Sequence, residues 1–288
     1  MGGRRPGHAG GDHRPACRGG VTARVSVGFA LLAAAQLSPS AVHAQAATAA
    51  EVVAVERAFA ARVLEAGVKA GFTEYLAPDG VVFRPGPVNG RDFMADRPPS
   101  SGVLIWRPAL AAISAAGDLG FSTGPYQARA SADRPVAGTG WYLSVWWRQP
   151  DGTLRLLADH GLAAAAADAS GREVPDTSVR LLPAGAPGRG PAPALASLDT
   201  ASAPVPAHGE VRTMAAGALH TGPAARATLF ANPLPRLVPL GGGAASSADL
   251  AYTYGSYTWG QEHGYYLRVW RLEGNRWVVV ADVFSPTR

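Results

Sequence analysis

The sequence predicts an α+β protein that contains one structural unit twice, in tandem. The segments "GDLGFSTGPY" at residues 117–126 and "ADLAYTYGSY" at residues 248–257 carry Asp, Leu, Gly and Tyr at matched positions. A second matched pair follows, "GWYLSVWWRQPDGTLRLLADHG" and "GYYLRVWRLEGNRWVVVADVF". Blocks that recur in the same order and with similar spacing indicate an internal duplication. Each copy ends in several strand-like segments, and the first copy begins with helix-like ones.

The N-terminal residues 1–44 have the composition of a signal peptide. Five arginines precede the apolar run "VSVGFALLAAAQL", and the small-residue segment "AVHAQA" follows it. A basic, then apolar, then small-residue order is typical of secretory signals. The apolar run, residues 25–37, is too short to cross a bilayer, so we expect no membrane span. We therefore expect cleavage near Ala44 and a secreted or periplasmic protein; the alternative is a disordered basic tail.

The remaining composition excludes several classes of function. The leader arginines account for most of the formal net charge of +5, and Lys69 is the only lysine, so no nucleic-acid partner is expected. The single cysteine, Cys17, lies in the leader, so the mature chain has no thiol chemistry and no disulfide. Histidines without metal-ligand spacing, and the lack of a phosphate-binding or dinucleotide motif, predict no metal and no cofactor.

Helices open the first copy. Thr48 and Glu51 form a capping box, and the apolar residues that follow recur at steps of three and four, as on one face of a helix. Gly67 is placed to end this helix. A second short helix is predicted at residues 68–77, ended by Pro78. The segments "PDG" and "VNG" are predicted turns on either side of the strand "VVFRP".

Strands dominate the rest of both copies. "GDLGFSTGPYQARA", "GWYLSVWWRQ" and "GTLRLLADHG" predict an antiparallel meander, with a hairpin at "QPDGT". The Ala-, Pro- and Gly-rich residues 163–207 predict a flexible linker in which "SVRLL" is a candidate strand. This gives a first domain at residues 45–162 and a second at residues 208–288. In the second, "GEVRTMAAGALHTG" is compatible with one helix, and the breaks after it indicate a smaller, less complete domain.

The most suggestive polar residue is Asp159, because Asp282 occupies the same place in the second copy. A carboxylate at the end of an apolar strand can have a raised pKa and act as a general base. The structural alternative is that it accepts hydrogen bonds from a neighbouring loop. Strand alternation puts Leu157 and Asp159 on one side and His160 on the other. A proton-transfer role for His160 would belong to the first copy alone, because the second copy has Val283 there.

Other residues are candidates for the wall of a hollow between sheet and helices. The aromatic and charged candidates for ligand contact are Trp106, Trp146, Tyr142 and Arg84, and Tyr126 is a further one. For the aromatic residues the alternative is ordinary core packing. Asp118 and its counterpart Asp249 precede matched strands, and we expect both to form Asx turns.

The pattern resembles the nuclear transport factor 2-like superfamily, in its SnoaL-like branch. The resemblance is carried by "ERAFAARVLEAG", "PDGVVFRPGPVNG", "STGPY" and "VWWRQPDGTLRLLADHG" over residues 48–162, and more weakly by residues 237–286. It implies tandem cone-shaped folds, each a curved antiparallel sheet wrapped around N-terminal helices to form a conical pocket. Relatives include ketosteroid isomerases, polyketide cyclases and dehydratases, together with non-enzymatic binding modules. Asp159 and Tyr126 are the nearest candidates for an isomerase base and its oxyanion donor.

Three hypotheses about function stay open. In the first, an exported protein binds a small, largely apolar molecule in the pocket of the first domain. In the second, an enzyme of the isomerase, cyclase or dehydratase type uses Asp159 as base, with His160 or Tyr126 as its helper. In the third, the chain is a structural or partner-binding module. The two copies are expected to pack as an intramolecular pseudo-dimer, with a homodimer as the alternative.

Overall fold

Two β-sheets and four helices make up the described part of the chain. The computed structural model describes residues 48–98, 100–165, 179–192, 194–200, 205–231 and 233–287. The predicted signal peptide, residues 1–44, and its cleavage near Ala44 lie outside these residues. None of the described helices combines the length and the apolar character needed to cross a membrane.

The first copy begins with helix α1 (Ala49–Tyr75), which breaks at Gly67 as the sequence predicts. The Thr48 N–H donates to Glu51 Oε1 at 2.8 Å at the start of the helix. Gly67 has φ 85°, a conformation that favours glycine, so two helical segments meet there at a kink. The elements after it are β1 (Leu76–Phe83), β2 (Pro87–Asn89), α2 (Gly90–Asp96), β3 (Val103–Trp106), β4 (Leu110–Ile113), β5 (Leu119–Arg129), β6 (Val136–Arg148) and β7 (Leu154–Ala163).

Together with β8 (Arg180–Leu181), these strands form an eight-stranded sheet in the order β2-β1-β7-β6-β5-β4-β8, with β3 pairing the far end of β5. Strand β8 (Arg180–Leu181) is the strand predicted within "SVRLL", and it pairs parallel to β4. The two predicted turns are corrected. "PDG" continues β1 as an irregular extended stretch, and Asn89 of "VNG" caps α2 by accepting from the Asp92 N–H at 3.0 Å.

The second copy repeats this order without a counterpart of α1 in its described residues. The short helix α3 (Leu195–Asp199) precedes it, and its elements are β9 (Ala207–Ala215), β10 (Ala218–Thr221), α4 (Gly222–Leu229), β11 (Arg236–Ala244), β12 (Leu250–Trp259), β13 (Glu262–Glu273) and β14 (Arg276–Pro286). Their order in the six-stranded sheet is β10-β9-β14-β13-β12-β11. By position, β9 corresponds to β1, β10 to β2, α4 to α2 and β14 to β7.

A helix over "GEVRTMAAGALHTG" is therefore wrong, because this segment forms the β9–β10 hairpin. Ala216 and Gly217, at its tip, have φ 52° and φ 72°, and positive φ at both central positions is what a tight hairpin turn requires. Val211 and Thr213 are fully buried on β9, where β-branched side chains favour a strand.

A β-bulge at the same place in both copies supports the duplication. In the first copy Val145 pairs with Ala158 while Trp146 pairs with Leu156, which leaves Leu157 as the extra residue. The register of β13 and β14 shifts at the matching point, with Val280 as the extra residue. A bulge reverses the alternation of side chains beyond it. The prediction that Leu157 and Asp159 share a side is wrong for this reason.

The two sheets pack against each other through one apolar core. Each sheet has an inner and an outer face. In the first copy the inner face packs against α1. The outer faces share a cluster that includes Phe83, Phe121, Leu143, Val145, Met214, Tyr252, Leu267 and Val283. A separate cluster lies between α1 and the inner face of the first sheet and includes Phe59, Phe72, Trp106, Tyr142 and Trp146. The domain boundaries drawn from the sequence stay a prediction.

The turns that contain Asp118 and Asp249 have the same geometry. Each aspartate follows a turn closed by a backbone hydrogen bond of 2.9 Å, from the Gly117 N–H to the Ser114 carbonyl oxygen before β5 and from the Ala248 N–H to the Ala245 carbonyl oxygen before β12. Asp118 Oδ2 accepts from the Ser246 N–H at 2.8 Å, and Asp249 Oδ2 accepts from the Ala115 N–H at 2.9 Å. These aspartates therefore join the two copies through a reciprocal pair of hydrogen bonds, besides shaping their own turns.

Candidate active or binding site in the first copy

A cavity of about 300 Å³ lies between α1 and the inner face of the first sheet. This volume is at the lower end of the range for small-molecule sites, about 300 to 1,000 Å³. The residues that line the cavity are Phe59, Phe72, Arg84, Leu104, Trp106, Tyr126, Tyr142, Asp159 and Gly161. The walls are mostly aromatic, and the charged groups among them are one carboxyl and one guanidinium.

The structure brings most of the sequence-predicted site residues to this cavity. Asp159, Tyr126, Trp106, Tyr142 and Arg84 all line it, although they come from four different strands and the turn after β1. Their convergence follows from the register of neighbouring strands, which places Tyr126 beside Trp106 and Asp159 beside Ser144.

Two predicted residues lie elsewhere. His160 is on the outer face, where its ring stacks on Phe83 with centroids 3.9 Å apart and its Nε2 lies 3.2 Å from the Tyr265 carbonyl oxygen. Burial lowers the pKa of His160 to about 3, so the ring is neutral at physiological pH. Trp146 is fully buried behind the cavity and does not line it. Neither the proposed helper role of His160 nor ligand contact by Trp146 fits this geometry.

Asp159 Oδ2 accepts a hydrogen bond from Ser144 Oγ at 3.0 Å. Burial raises the pKa of Asp159 to about 6, against the opposing effects of the Arg84 charge and of the Ser144 hydrogen bond. Near neutral pH this carboxyl can therefore both accept and release a proton, which is the property of a general acid–base group.

Tyr142 supplies a hydroxyl that lacks a partner. The side chain is 6% exposed, and its hydroxyl makes no hydrogen bond with any described residue. Burial raises the pKa of Tyr142 well above its usual value, and the nearby charge of Glu56 adds to the shift. The Ser122 hydroxyl lies close enough to oppose this shift, but the two hydroxyls are not in hydrogen-bond geometry. A buried hydroxyl without a partner carries a free-energy cost that a ligand oxygen or nitrogen can remove.

Sequence reasoning missed Glu56, which lies on α1 and is fully buried. Trp106 Nε1 donates to its Oε1 at 2.5 Å, Trp146 Nε1 donates to its Oε2 at 2.9 Å, and the Ser122 hydroxyl also donates to Oε2. Burial raises the pKa of Glu56 to about 7, against these hydrogen bonds and with a smaller contribution from the charge of Asp159. The sequence does contain one indication of a special role for this residue: a glutamate on the apolar stripe of a helix.

The corresponding place in the second copy holds charges instead of a cavity. Asp282 accepts from Arg226 at 2.8 Å, from Arg268 at 3.2 Å and from Thr213 at 2.6 Å. Asp199 on α3 accepts from Arg268 at 3.0 Å. Burial alone would raise the pKa of Asp282, but the two arginine charges and the hydrogen bonds outweigh it and lower that pKa. Only about 30 Å³ of space remains beside this network.

Among the residues that the structure describes, no group of three or more His, Cys, Asp or Glu side chains is placed to hold a metal ion. The cavity walls in the first copy offer one carboxyl, two tyrosine hydroxyls and one guanidinium. This set suits an organic ligand with a polar atom better than a bare cation.

No protein-family model and no curated protein matches this chain. Solved structures do match it. A candidate ketosteroid isomerase from Parabacteroides distasonis shares 16% identity over 41% of this chain and 91% of its own, with a TM-score of 0.32. A Nostoc punctiforme protein with a cystatin-like fold shares 15% over 42% and 97%, with a TM-score of 0.34. ActVI-ORFA from Streptomyces coelicolor shares 15% over 40% and 95%, with a TM-score of 0.32.

Proposed function

We propose that the first copy binds a small, largely apolar molecule that carries one hydroxyl or carbonyl group. The observation that carries this proposal is the 300 Å³ cavity itself, with aromatic walls and Asp159 in its lining. Apolar area supplies most of the binding free energy in such sites, and a few polar groups fix the orientation of the ligand. We further propose that the protein acts outside the cytoplasm, after loss of residues 1–44.

A hydroxyl group suits the polar residues of the cavity. It can donate to the Asp159 carboxylate while it accepts from Arg84 or from the unpartnered Tyr142 hydroxyl. A hydrogen bond to a charged group contributes about 1.5 to 3 kcal/mol, and one to a neutral group about 1 kcal/mol. The polar contacts would therefore distinguish an alcohol from a hydrocarbon of the same shape.

The test compares two probes of nearly equal shape, 2-naphthalenemethanol and 2-ethylnaphthalene. Neither ionises near neutral pH. By calorimetry on the full chain we expect the alcohol to bind at least about fivefold more tightly, which corresponds to about 1 kcal/mol. In Asp159→Asn the amide can still accept from Ser144 but then turns its NH₂ group toward the ligand. We expect a weaker preference for the alcohol in this variant, because its hydroxyl then meets a neutral donor in place of a charged acceptor.

Asp133→Asn is the matched control, because Asp133 is exposed in a loop and bonds only to nearby groups. It should bind both probes like the wild type. Equal affinity of the wild type for the two probes, or an unchanged preference in Asp159→Asn, would contradict the proposal. Failure of the wild type to bind either probe would do so as well and would favour the structural or partner-binding hypothesis.

An acid–base enzyme is the second candidate, and the pKa of about 6 at Asp159 favours it. Tyr126 and Tyr142 line the same cavity, and their hydroxyls would stabilise a developing negative charge on a substrate oxygen. The chemistry would be removal of a proton next to a carbonyl group. Exchange of the α-protons of 2-tetralone with deuterated water, lost in Asp159→Asn, would establish this activity; a rate equal to that without protein would dismiss it.

A further inference from the structure

Glu56 is unusual because a fully buried carboxyl has hydrogen-bond donors around it and no cation. Its three donors are the indole N–H groups of Trp106 and Trp146 and the hydroxyl of Ser122. In the part of the chain that the structure describes, no arginine or lysine pairs with it. Buried carboxylates normally have a cationic partner or a metal. The role of this buried carboxylate is therefore to be sought in the side chains that donate hydrogen bonds to it.

The two indoles require two acceptors. An indole N–H is a donor only, so each of the two carboxylate oxygens has to remain an acceptor for Trp106 and Trp146 to be satisfied together. A glutamine in the same place would turn its NH₂ group toward one of the indoles. The ionised carboxyl, in which both oxygens act only as acceptors, thus holds the two tryptophans better than the protonated acid or an amide does.

The second copy shows the arrangement without this glutamate. Trp270, the counterpart of Trp146, donates to the hydroxyl of Thr253 at 2.9 Å. Thr253 is the counterpart of Ser122, so a hydroxyl from the neighbouring strand is enough for that tryptophan. In the first copy Ser122 instead donates to Glu56. What the carboxylate adds is a fixed position for Trp106.

Trp106 is a wall of the cavity. Its ring lies 4.8 Å from that of Phe59 and 6.5 Å from those of Phe72 and Tyr142, all of which line the same space. We propose that Glu56 is the positioning residue of this cavity, whose carboxylate fixes Trp106 and thereby the wall against which the ligand binds. The inference rests on the proposed binding function.

The charges that face Glu56 decide how its role can be observed. Asp159 on β7 raises the pKa of Glu56, and Glu56 in turn raises that of Tyr142 on β6. Arg84, beyond β1, acts on Asp159. The hydrogen-bond partners from β3 and β5, Trp106 and Ser122, do not titrate near neutral pH. Protonation of Glu56 near pH 7 should loosen the indoles, whereas titration of Asp159 should leave them in place.

The first experiment needs no ligand. In the wild-type protein we expect the indole N–H resonances of Trp106 and Trp146 to shift together in NMR spectra, with a midpoint near pH 7. Trp270 is the internal control and should not shift in this range, because it donates to Thr253. In Asp159→Asn the midpoint should move to lower pH, since a negative charge near Glu56 is gone. In Glu56→Gln the titration should disappear.

The second experiment uses the same two probes. Glu56→Gln should bind both 2-naphthalenemethanol and 2-ethylnaphthalene about tenfold more weakly, because the shared aromatic wall is displaced. Asp159→Asn should affect the alcohol alone. The wild-type affinity for 2-ethylnaphthalene should also fall as Glu56 becomes protonated below pH 7.

An indole of Trp106 that does not titrate with that of Trp146, or a Glu56→Gln variant that folds and binds both probes like the wild type, would overturn the positioning role. If Glu56→Gln does not fold, the positioning role is tested by the indole titration of the wild type and by the pH dependence of its affinity for 2-ethylnaphthalene. If the indoles titrate as expected but neither probe binds, the proposed binding function is rejected. Glu56 would then only fix Trp106 in the protein core, and its role in ligand binding would be overturned as well.

Discussion

The same strand position carries an aspartate with opposite properties in the two copies. Asp159 faces a cavity, and burial raises its pKa to about 6. Asp282 is fully buried between Arg226 and Arg268, whose charges outweigh the effect of burial and lower its pKa. In the first copy the carboxyl remains available to a ligand; in the second it neutralises two guanidinium groups. One residue inherited by both copies thus has a candidate binding role in one and a structural role in the other.

This difference predicts opposite effects of the same substitution. Asp282→Asn leaves Arg226 without its anion and Arg268 with Asp199 alone, so we expect a loss of about 3 to 5 kcal/mol in the free energy of unfolding. Asp159→Asn should not lower that free energy at pH 7.5. Urea unfolding of both variants checks the prediction, and similar losses for the two would contradict it.

The pH dependence of the free energy of unfolding follows from the directions in which folding shifts the pKa values of Asp159 and Asp282. An acid whose pKa is raised by folding binds more protons in the folded state, so Asp159 lowers the stability as pH rises from about 4 to about 6. The effect amounts to at most about 3 kcal/mol. Asp282 has a lowered pKa, so its stabilisation is present above the unfolded value and is lost as pH falls through the folded one. Glu56, whose pKa is raised to about 7, has an effect of the same sign, so in urea unfolding at several pH values Asp159→Asn should reduce the first effect without abolishing it and keep the second.

At the scale of elements, the turn before β5 and β12 offers a comparison within the chain. Its left-handed residue is Gly117, with φ 73°, in the first copy and Ala248, with φ 50°, in the second. Alanine in this conformation costs about 1 to 2 kcal/mol, partly offset by the greater flexibility of glycine in the unfolded chain. One copy therefore carries strain that the other does not.

We expect Ala248→Gly to raise the free energy of unfolding by about 1 kcal/mol and Gly117→Ala to lower it by a similar amount. In a domain of this size 1 kcal/mol corresponds to about 2 to 4 °C in Tm. Thermal unfolding measures both. Gly138→Ala is the control, since Gly138 lies in β6 with no positive φ and open space around its Cα, and it should change Tm little. Equal and same-signed shifts for the two turn variants would disprove the account.

The elements that sequence patterns predict well are those with strong local signals. The apolar stripe and capping box predict α1 and its break at Gly67, and the matched strand blocks predict the order β5–β7 and β12–β14. The β9–β10 hairpin is missed because its Ala-rich sequence favours a helix, whereas the turn depends on left-handed conformations at both Ala216 and Gly217. The bulge at Leu157 has no signal in the alternation of side chains.

For the candidate site too, the sequence predicts some residues of the cavity and misses or misplaces others. Asp159, Trp106, Tyr126, Tyr142 and Arg84 are found from the sequence because a repeat and an aromatic pattern mark their strands. The positions of His160 and Trp146 depend on which face meets the second sheet or α1, which is a property of packing between distant segments. Glu56 is missed for the opposite reason: its stripe is evident, but its partners lie fifty residues or more away along the chain.

On the scale of the whole molecule, the outer faces of the two sheets share one core, and a pair of reciprocal hydrogen bonds joins their turns. Neither sheet could separate from the other without exposing residues such as Phe121, Val145 and Val269, which are buried between them. Burial of side chains of this size contributes about 1.5 to 3 kcal/mol each. We therefore expect the two copies to unfold in one cooperative transition.

The reciprocal contacts give this expectation a sharp test. Asp118→Ala removes the acceptor of the Ser246 N–H, and Asp249→Ala removes that of the Ala115 N–H. Each change lies in a different copy, and each should lower the free energy of unfolding by about 1.5 to 3 kcal/mol, as expected for hydrogen bonds to charged groups. Because the copies share a core, both variants should shift one common transition in urea, followed by near-UV circular dichroism and by tryptophan fluorescence.

Asp151→Ala is the control: Asp151 is exposed and bonds within its own hairpin, away from the second copy. Two separate transitions, with each variant moving only the one that belongs to its own copy, would show that the copies are independent domains and that the shared core does not couple them.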